Sequence, residues 1–469
     1  MQRRSLLAAL PLLSALPLRA MRLDERPALH ALNRLAFGPR PGDLLRVRGW
    51  EPMLEEQLAL PAIPVELQVR LDAHVAQQPS LRERLQAYRA AQQRDPGENN
   101  AERREIVQRA LLDATQARLL RALESPRQLE ERLVDFWFNH FNVFIGKGLC
   151  RVMVADYEAQ AIRPHVWGRF RDLLGAVARH PAMLFYLDNF LSARPGFSGR
   201  NGVQGLNENY ARELMELHTL GVDGGYAQRD VTELARVLTG WTFDLRRGDA
   251  RFRFDVRRHD EGPKTWLGQT VPGHGEAQGE WVLDQLARHP KTAERIAFKL
   301  AQHFVADAPD ADLVQATAQA FLKSDGDLRA TVTALLRHPV ACASELVGAQ
   351  FKTPQRFVIS MLRACSITPS DWSPTLAALR QLGQPLFGCV TPDGWKPTRE
   401  AWLDPEALAR RAELAARVAQ RAGLGAEAGE RLLDTLGPAI SPATRAALRQ
   451  EPARLQAALI LGSPDFQNG

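Results

Sequence analysis

A cluster of acidic, basic and amide side chains between residues 207 and 221 is the part of this sequence best suited to chemistry. The segment reads Asn207-Glu208-Asn209-Tyr210-Ala211-Arg212-Glu213-Leu214-Met215-Glu216-Leu217-His218-Thr219-Leu220-Gly221. Paired carboxylates such as Glu213 and Glu216 can exchange protons with a substrate or bind a divalent cation through oxygen. Asn209 and Arg212 are suited to holding a substrate beside them. A salt-bridge network on a solvated helix face is the alternative that the same residues allow.

This segment is predicted to be a helix, because Asn207 suits the N-cap and Gly221 suits the C-terminal stop. A rotation of about 100° per residue places Asn209, Glu213 and Glu216 on one stripe. The opposite, core-facing side carries Tyr210, Ala211, Leu214, Leu217 and His218. His218 therefore points away from the carboxylates, and we interpret it as a core histidine or a histidine of the last turn.

A second candidate, His140, lies between Asn139 and Asn142 in the strongly aromatic segment 133–144. A buried histidine between amides could act as a general base, with an asparagine fixing its tautomer. It could equally be a core histidine that is bonded to a backbone carbonyl. We predict that the fold brings His140 to the helix of residues 207–218.

A third candidate group, His259 and Asp260 with Lys264 nearby, lies in a polar loop. Loops carry functional residues disproportionately. We predict that His259 and Asp260 join Glu213 and Glu216 as catalytic groups, and that Lys264 contributes to substrate binding. No G-x-S-x-G, Walker, H-E-x-x-H or Rossmann motif is present, and neither is the C-x-x-C-H motif for haem attachment. The cofactor is therefore unknown, with a divalent metal still open and its ligands unassigned.

The first 20 residues are similar to a twin-arginine export signal. Arg3 and Arg4 precede an apolar run, residues 5–18, that is too short and too rich in proline to span a bilayer comfortably. The ordinary secretory route is the alternative. We therefore predict a periplasmic or otherwise exported protein, with no membrane span once the signal is removed. Because residues 1–20 contain three arginines and no acid, their removal lowers the formal charge from +6 to +3, and no nucleic-acid partner is expected.

The predicted fold is mainly α: a large multi-helical domain with a short β-hairpin near residues 250–270. Helical periodicity covers most of the 469 residues, whereas Phe252, Phe254 and Val256 alternate with polar residues as in a strand. Residues 21–469 are predicted to form one large domain. Two packed lobes, 21–240 and 280–469, with an irregular insert at 241–279, are the alternative. Three Arg-His-Pro sequences, which end at Pro181, Pro290 and Pro339, are interpreted as helix terminators.

Several motifs together resemble the bacterial family called domain of unknown function 1800. The matching segments are 32–39 (LNRLAFGP), 136–141 (FWFNHF), 180–189 (HPAMLFYLDN), 207–213 (NENYARE), 230–241 (DVTELARVLTGW), His259-Asp260 with Lys264, and 384–387 (QPLF). Residues 388–395 depart from the family pattern, which has a proline-rich turn there. The resemblance implies an exported bacterial protein that is commonly encoded beside a sulfatase-like exported protein of the domain of unknown function 1501 family, which is its candidate partner. It implies no reaction.

Three classes of function follow from these observations. The first is an exported enzyme with Glu213, Glu216, Asn209 and Arg212 in its pocket, which uses either a metal or acid–base chemistry. The second is a helical binding or maturation protein for the sulfatase-like partner. The third is a structural envelope protein in which the acidic stripe is an internal salt-bridge network. A pocket beside the stripe favours the first class, and a broad apolar surface favours the second.

Overall fold

Helices dominate the structure, as the sequence predicts. The computed structural model describes residues 24–76, 78–94, 97, 100–199, 202–244, 250–425 and 427–469. It is 62% helical with only a few short strands, so the mainly α prediction is confirmed. Within the described residues, no helix combines the length and the apolar composition needed to cross a membrane. The predicted export signal, residues 1–20, lies outside the described residues.

The described part of the chain contains 23 α-helices joined mostly by short connections. In chain order they are α1 (Arg26–Leu35), α2 (Asp43–Arg46), α3 (Trp50–Leu58), α4 (Val65–Ala76), α5 (Leu81–Arg94), α6 (Ala101–Glu124), α7 (Gln128–His140), α8 (Cys150–Tyr157), α9 (Phe170–Arg179), α10 (Pro181–Tyr186), α11 (Glu208–Glu216), α12 (Gln228–Val237), α13 (Glu276–Arg288), α14 (Pro290–Phe304), α15 (Ala311–Lys323), α16 (Leu328–Arg337), α17 (Pro354–Ala364), α18 (Ser373–Gln381), α19 (Arg399–Trp402), α20 (Pro405–Arg421), α21 (Glu427–Leu436), α22 (Pro442–Leu448) and α23 (Ala453–Gly462).

Three small antiparallel hairpins interrupt the helices. Strand β1 (Phe197–Gly199) pairs with β2 (Gly202–Gln204), β3 (Trp241–Phe243) with β4 (Phe252–Phe254), and β5 (Thr265–Trp266) with β6 (Gln269–Thr270). The alternating segment near residue 252 is therefore a strand, but its partner precedes it in sequence. Val256 lies beyond β4 and is 61% exposed, because the chain turns after Asp255, whose N–H bonds to the Gly240 carbonyl.

Large aromatic side chains build the core around α7. Trp137 is fully buried and packs against Phe141 and Phe170 with ring centroids 5.9 Å away in each case. Burial of a side chain of this size stabilises a fold by about 2–3 kcal/mol. One continuous cluster of buried apolar side chains extends from Ala28 to Phe466, so residues of 21–240 and of 280–469 contribute to the same core.

Buried ion pairs fix the segment that follows α8. A π-helical turn (Glu158–Ile162) and a 3-10 turn (Arg163–His165) continue that helix. Arg163 donates to both oxygens of Glu131, at 2.8 and 3.0 Å, and to Glu158 at 3.1 Å. Although burial alone would raise the pKa of Glu158, the charges of Arg118 and Arg163 lower it. The carboxylate of Glu158 is therefore held ionised in the core by its guanidinium partners.

The three Arg-His-Pro sequences end one helix and begin the next. The side chains of His180, His289 and His338 each accept a hydrogen bond from the backbone N–H two residues later, at 3.1, 3.1 and 3.4 Å. Proline occupies the first position of the new helix in each case, where its missing N–H is not needed. The interpretation as helix terminators is confirmed, and the histidines also cap the following helices.

Candidate functional site

The helix predicted for residues 207–221 exists but is shorter than expected. Asn207 caps α11 by accepting a hydrogen bond from the Tyr210 N–H at 3.2 Å. The last helical residue is Glu216. Gly221, at φ +88°, lies in a turn beyond the helix rather than at its end. The carboxylates of the segment therefore all lie on one short helix, and the last turn of this helix faces α14.

The two predicted carboxylates, Glu213 and Glu216, are both half-buried. Glu216 Oε2 accepts a hydrogen bond from the Tyr226 hydroxyl at 3.4 Å. Glu213 has no side-chain hydrogen bond or ion pair to any residue that the structure describes. Burial and the neighbouring charges of Glu216 and Asp393 raise the pKa of Glu213, and Arg212 opposes this effect. Glu213 thus has the environment of a carboxyl group that keeps its proton to a higher pH than an ordinary glutamic acid does.

The predicted substrate-binding residues of α11 lie at its outer edge. Asn209 is exposed and, with Asp188 and Glu208, lines an open cleft of about 570 Å³ at the start of the helix. Arg212 Nη2 donates to Gln228 Oε1 at 2.8 Å and lies 4.0 Å from a Glu208 oxygen. Asn209 and Arg212 therefore lie at the edge of the candidate site and not at its centre.

Two cations of α14, Arg295 and Lys299, lie near the end of α11. Arg295 Nε donates to the Leu217 carbonyl at 3.3 Å. Lys299 is half-buried and has no hydrogen-bond or ion-pair partner among the residues described. Burial and repulsion by Arg295 lower the pKa of Lys299 to about 8, and Asp393 opposes the shift. Lys299 can therefore lose its proton close to physiological pH, unlike an ordinary lysine.

Two buried histidines lie within the electrostatic reach of Lys299. His140 Nε2 and the His218 carbonyl are 3.1 Å apart, so we assign the His140 proton to Nε2. His140 Nδ1 and His218 Nε2 are buried and without a partner in the described structure. Burial and the Lys299 charge lower the pKa of both histidines, that of His218 to about 3. Both rings are therefore neutral at physiological pH, and His140 Nδ1 is a free acceptor.

A loop at residues 388–395 brings a third carboxylate, Asp393, to this cluster. The Asn139 side chain donates to the Trp395 carbonyl and accepts from the Trp395 N–H, both at 2.8 Å. Gly394, at φ +74°, lies directly against Asn139, so that a β-carbon there would be 2.1 Å from the Asn139 carbonyl oxygen. This pair of bonds and the close approach fix the backbone on both sides of Asp393.

Further hydrogen bonds hold the first half of the same loop. Asn142 donates to the carbonyls of Cys389 and Thr391, at 3.0 and 2.8 Å. The Tyr186 hydroxyl donates to the Val390 carbonyl at 2.7 Å. The amide side chains of Asn139 and Asn142, which flank His140 in sequence, therefore bond to the loop and not to the histidine ring. This differs from the sequence-based interpretation, in which an asparagine would fix the tautomer of His140.

His259 and Lys264 form a separate, fully bonded network. His259 Nδ1 lies 2.9 Å from the Thr239 carbonyl, and its Nε2 lies 3.2 Å from Gln278 Oε1. Lys264 donates to the same Gln278 oxygen at 2.8 Å and to the Gly262 carbonyl at 3.1 Å. Both side chains are buried. Their bonds connect the 255–264 loop to α13 and to the segment that follows α12.

Asp260 belongs to the same network. It accepts two bonds from Arg236, at 2.8 and 3.1 Å, and one from the Gly262 N–H at 2.9 Å. Burial alone would raise the pKa of Asp260, but the bonds from Arg236 and Gly262 lower it. None of the contacts made by His259, Asp260 or Lys264 reaches Glu213, Glu216 or His140. The structure thus brings His140 to the end of α11 and leaves the 259–264 group as a separate network.

Within the residues described, no group of three or more histidine, cysteine, aspartate or glutamate side chains is arranged to hold a metal ion. The four cysteines, Cys150, Cys342, Cys365 and Cys389, are all free thiols. Burial raises the pKa of Cys150 and of Cys365 to about 12, so neither thiol is a ready nucleophile.

The sequence-based prediction missed Arg295, Lys299 and Asp393. A signal for the first two exists: Arg295, Lys299 and His303 recur every four residues in a helix whose intervening positions are mostly apolar. Residues four apart lie on one face of a helix, so this polar stripe beside the core face indicates side chains at a contact between helices. Asp393 has no comparable signal, because its position depends on bonds between the loop and α7.

Comparison with known proteins identifies a family. The family model described as "Protein of unknown function (DUF1800)" matches residues 30–468. No curated protein and no solved structure matches the chain.

Proposed function

This chain belongs to the DUF1800 family of proteins of unknown function. We propose that it is an enzyme in which Glu213 and Lys299 each exchange a proton with a bound substrate. The observation that carries the proposal is that Glu213 and Lys299 are both half-buried, have no hydrogen-bond or ion-pair partner among the described residues, and both lie within the electrostatic reach of Asp393. Burial contributes most to both shifts, raising the pKa of the Glu213 carboxyl and lowering that of the Lys299 amine to about 8. Acid and base groups of enzymes are tuned in these directions.

The roles follow from the directions of the two shifts. Lys299, as a neutral amine, is the base, and Glu213, whose raised pKa favours its protonated form, is the acid. Arg295, whose Nη atoms have no hydrogen-bond acceptor among the described residues, supplies positive charge for a developing anion. His140 Nδ1 is buried, so it accepts a hydrogen bond only from a substrate group that enters the interior. This form of the proposal needs no metal and gives no catalytic role to the 259–264 network.

Lys299 is expected to react with acylating reagents at lower pH than an exposed lysine. At pH 7, an amine of pKa about 8 has a neutral fraction roughly 200-fold larger than one at the ordinary value of about 10.4. Acylation of Lys299 and of exposed Lys323 should be followed by mass spectrometry from pH 6 to 10. The Lys299 rate should level off above about pH 8 while the Lys323 rate continues to rise; parallel profiles would contradict the assignment.

The enzymatic proposal is tested with a panel of chromogenic esters, amides, glycosides, and phosphate and sulfate monoesters. The variants are Lys299→Met and Glu213→Gln, with exposed Lys323→Met and Glu430→Gln as matched controls. We expect kcat/KM to fall by about 10²–10⁴-fold in the first pair and to be unchanged in the controls. The wild-type profile of kcat/KM against pH should be bell-shaped, because activity needs Lys299, whose pKa is about 8, deprotonated and Glu213 protonated. A substrate turned over equally by all variants would rule out these roles.

The alternative is a binding protein for an exported sulfatase-like protein of the domain of unknown function 1501 family. An apolar groove of about 560 Å³ between α17, α18 and α20, lined in part by Val358, Met361, Leu414 and Val418, favours it. The alternative shares with the enzyme the proposal of export directed by residues 1–20. One experiment tests both export and partner binding. Tagged protein is isolated from separated periplasmic and cytoplasmic fractions, and its N-terminus and any co-purifying chains are identified. An uncleaved, cytoplasmic protein without the partner would refute export and the alternative together.

A further inference from the structure

A second region of the molecule contains five basic side chains that are buried without a carboxylate partner. Arg34, Arg132, Lys352, Arg356 and Arg411 are at most 6% exposed, and none of them forms an ion pair with any residue that the structure describes. Lysine and arginine are almost never fully buried unless they are paired. An arrangement of this kind therefore requires a physical explanation.

Other buried arginines of the same protein follow the rule. Arg163 is held by both oxygens of Glu131. Arg118 donates to Glu158 at 2.9 Å and to Asp135 at 2.6 Å. These two guanidinium groups show that the fold supplies carboxylate partners to buried arginines outside the five-cation region.

Three of the four guanidinium groups converge. Nη1 of Arg34 and Nη1 of Arg356 each donate to the same atom, Gln350 Oε1, at 2.6 Å. Arg132 Nη2 donates to the His303 carbonyl at 3.5 Å, and Gln350 Nε2 donates to the same carbonyl at 3.1 Å. A single neutral amide oxygen is therefore the only side-chain acceptor that Arg34 and Arg356 have among the described residues, although each also donates to a backbone carbonyl.

Several donors in this group remain without an acceptor. Arg34 Nε, Arg132 Nε and Arg132 Nη1 are buried and have no hydrogen-bond partner in the described structure. The Arg132 guanidinium lies between the rings of Phe37 and Phe304, 5.3 and 5.6 Å from their centroids. Aromatic faces attract a cation but do not accept its N–H bonds in the plane of the fork.

Two carboxylates act on these cations through space without forming an ion pair with them: Asp307 on Arg34 and Arg356, and Asp135 on Arg132 and Arg356. Asp307 Oδ2 accepts from the Arg399 N–H at 2.6 Å, and its Oδ1 is buried without a partner in the described structure. Asp135 Oδ1 accepts from Arg118 and Gln355. Burial and repulsion by Arg132 lower the pKa of Arg34 to about 9, which shows how unfavourable its charge is in these surroundings. A counter-ion with several acceptor oxygens would remove this penalty and satisfy the free donors.

We propose that Arg34, Arg132 and Arg356 form an oxyanion-binding site between α1, α7 and α17. The unpartnered donors, Arg34 Nε, Arg132 Nε and Arg132 Nη1, together with the charge of Arg356, match a group with several acceptor oxygens, such as phosphate, sulfate or a carboxylate. The anion neutralises the buried charge and links the three helices. This site is separate from the Glu213–Lys299 cluster, and its existence does not depend on the proposed enzymatic activity.

The test compares the full chain with Arg132→Met and Arg411→Met. Arg411 is a matched control because it too is buried between two rings, Phe351 and Phe357, and has an unpartnered Nε. Tm is measured in phosphate, sulfate, acetate and chloride at equal ionic strength. Anions released on denaturation of the freshly purified proteins are identified by ion chromatography.

We expect the wild type and Arg411→Met either to release about one oxyanion per chain or to gain about 2–4 °C in the matching salt. Arg132→Met should do neither, with binding weakened about 10- to 100-fold. The released anion, or the salt that acts, identifies the source. An equal Tm gain in all three proteins is the general effect of such salts and overturns the proposal, as does a wild type that neither releases an anion nor gains Tm. If Arg132→Met does not fold, Arg34→Met replaces it.

Discussion

Replacement of Gly394 by alanine is expected to destabilise the protein by about 3–5 kcal/mol. Two effects add. The residue has φ +74°, and its new β-carbon would lie 2.1 Å from the Asn139 carbonyl oxygen. Relief of that overlap must move the loop away from α7 and break the two bonds between Asn139 and Trp395. Denaturant unfolding of the Gly394→Ala variant measures the change.

Gly225 provides the matched control for this prediction. It has a similar φ of +78°, but a β-carbon there would meet no atom within 4 Å. Gly225→Ala should therefore show only the backbone effect, about 1–2 kcal/mol. Equal losses in the two variants would show that the loop does not approach α7 as closely in solution. The displaced loop of Gly394→Ala should also shift the pH profile of Lys299 acylation, because Asp393 moves with it.

Removal of Arg163 is expected to cost about 3–5 kcal/mol at pH 7. Arg163→Met leaves Glu131 and Glu158 buried with much of their compensation gone, since Arg163 donates to both carboxylates. Unfolding free energies at pH 7 and pH 4 test this. The pKa of Glu158 is lowered in the folded state, so its contribution is present above the unfolded value of about 4.5 and is lost as the pH falls through the folded value. The deficit of the variant should therefore shrink at low pH.

An exposed ion pair gives the reference for Arg163. Arg431 lies 3.5 Å from Glu427, and both side chains are mostly in solvent. Arg431→Met should change the unfolding free energy by no more than about 0.5 kcal/mol. If Arg163→Met lowered the unfolding free energy by as little, other groups would have to satisfy the buried carboxylates, and the role of Arg163 as their partner would be refuted.

Much of the local structure was predictable because it depends on neighbours in sequence. Asn207 caps α11 as expected, and the predicted core side of that helix is buried at Tyr210, Leu214 and His218. The Arg-His-Pro sequences end helices because proline and the preceding cation act within one turn. Even here the extent of α11 was overestimated: the chain leaves the helix after Glu216, before the glycine that was expected to end it.

The content of the candidate site was only partly predictable. The sequence by itself determined the α-helical class, the family and the position of two carboxylates, Glu213 and Glu216, on one helix. Only the tertiary structure decided that His140 meets the end of α11, that His259 and Asp260 belong to another network, and that Lys299 has no partner among the described residues. The physical reason is that pairing and pKa depend on distance and burial between residues far apart in the chain. Asn139 and Trp395, whose bonds position Asp393, are 256 positions apart, and no local periodicity records such a contact.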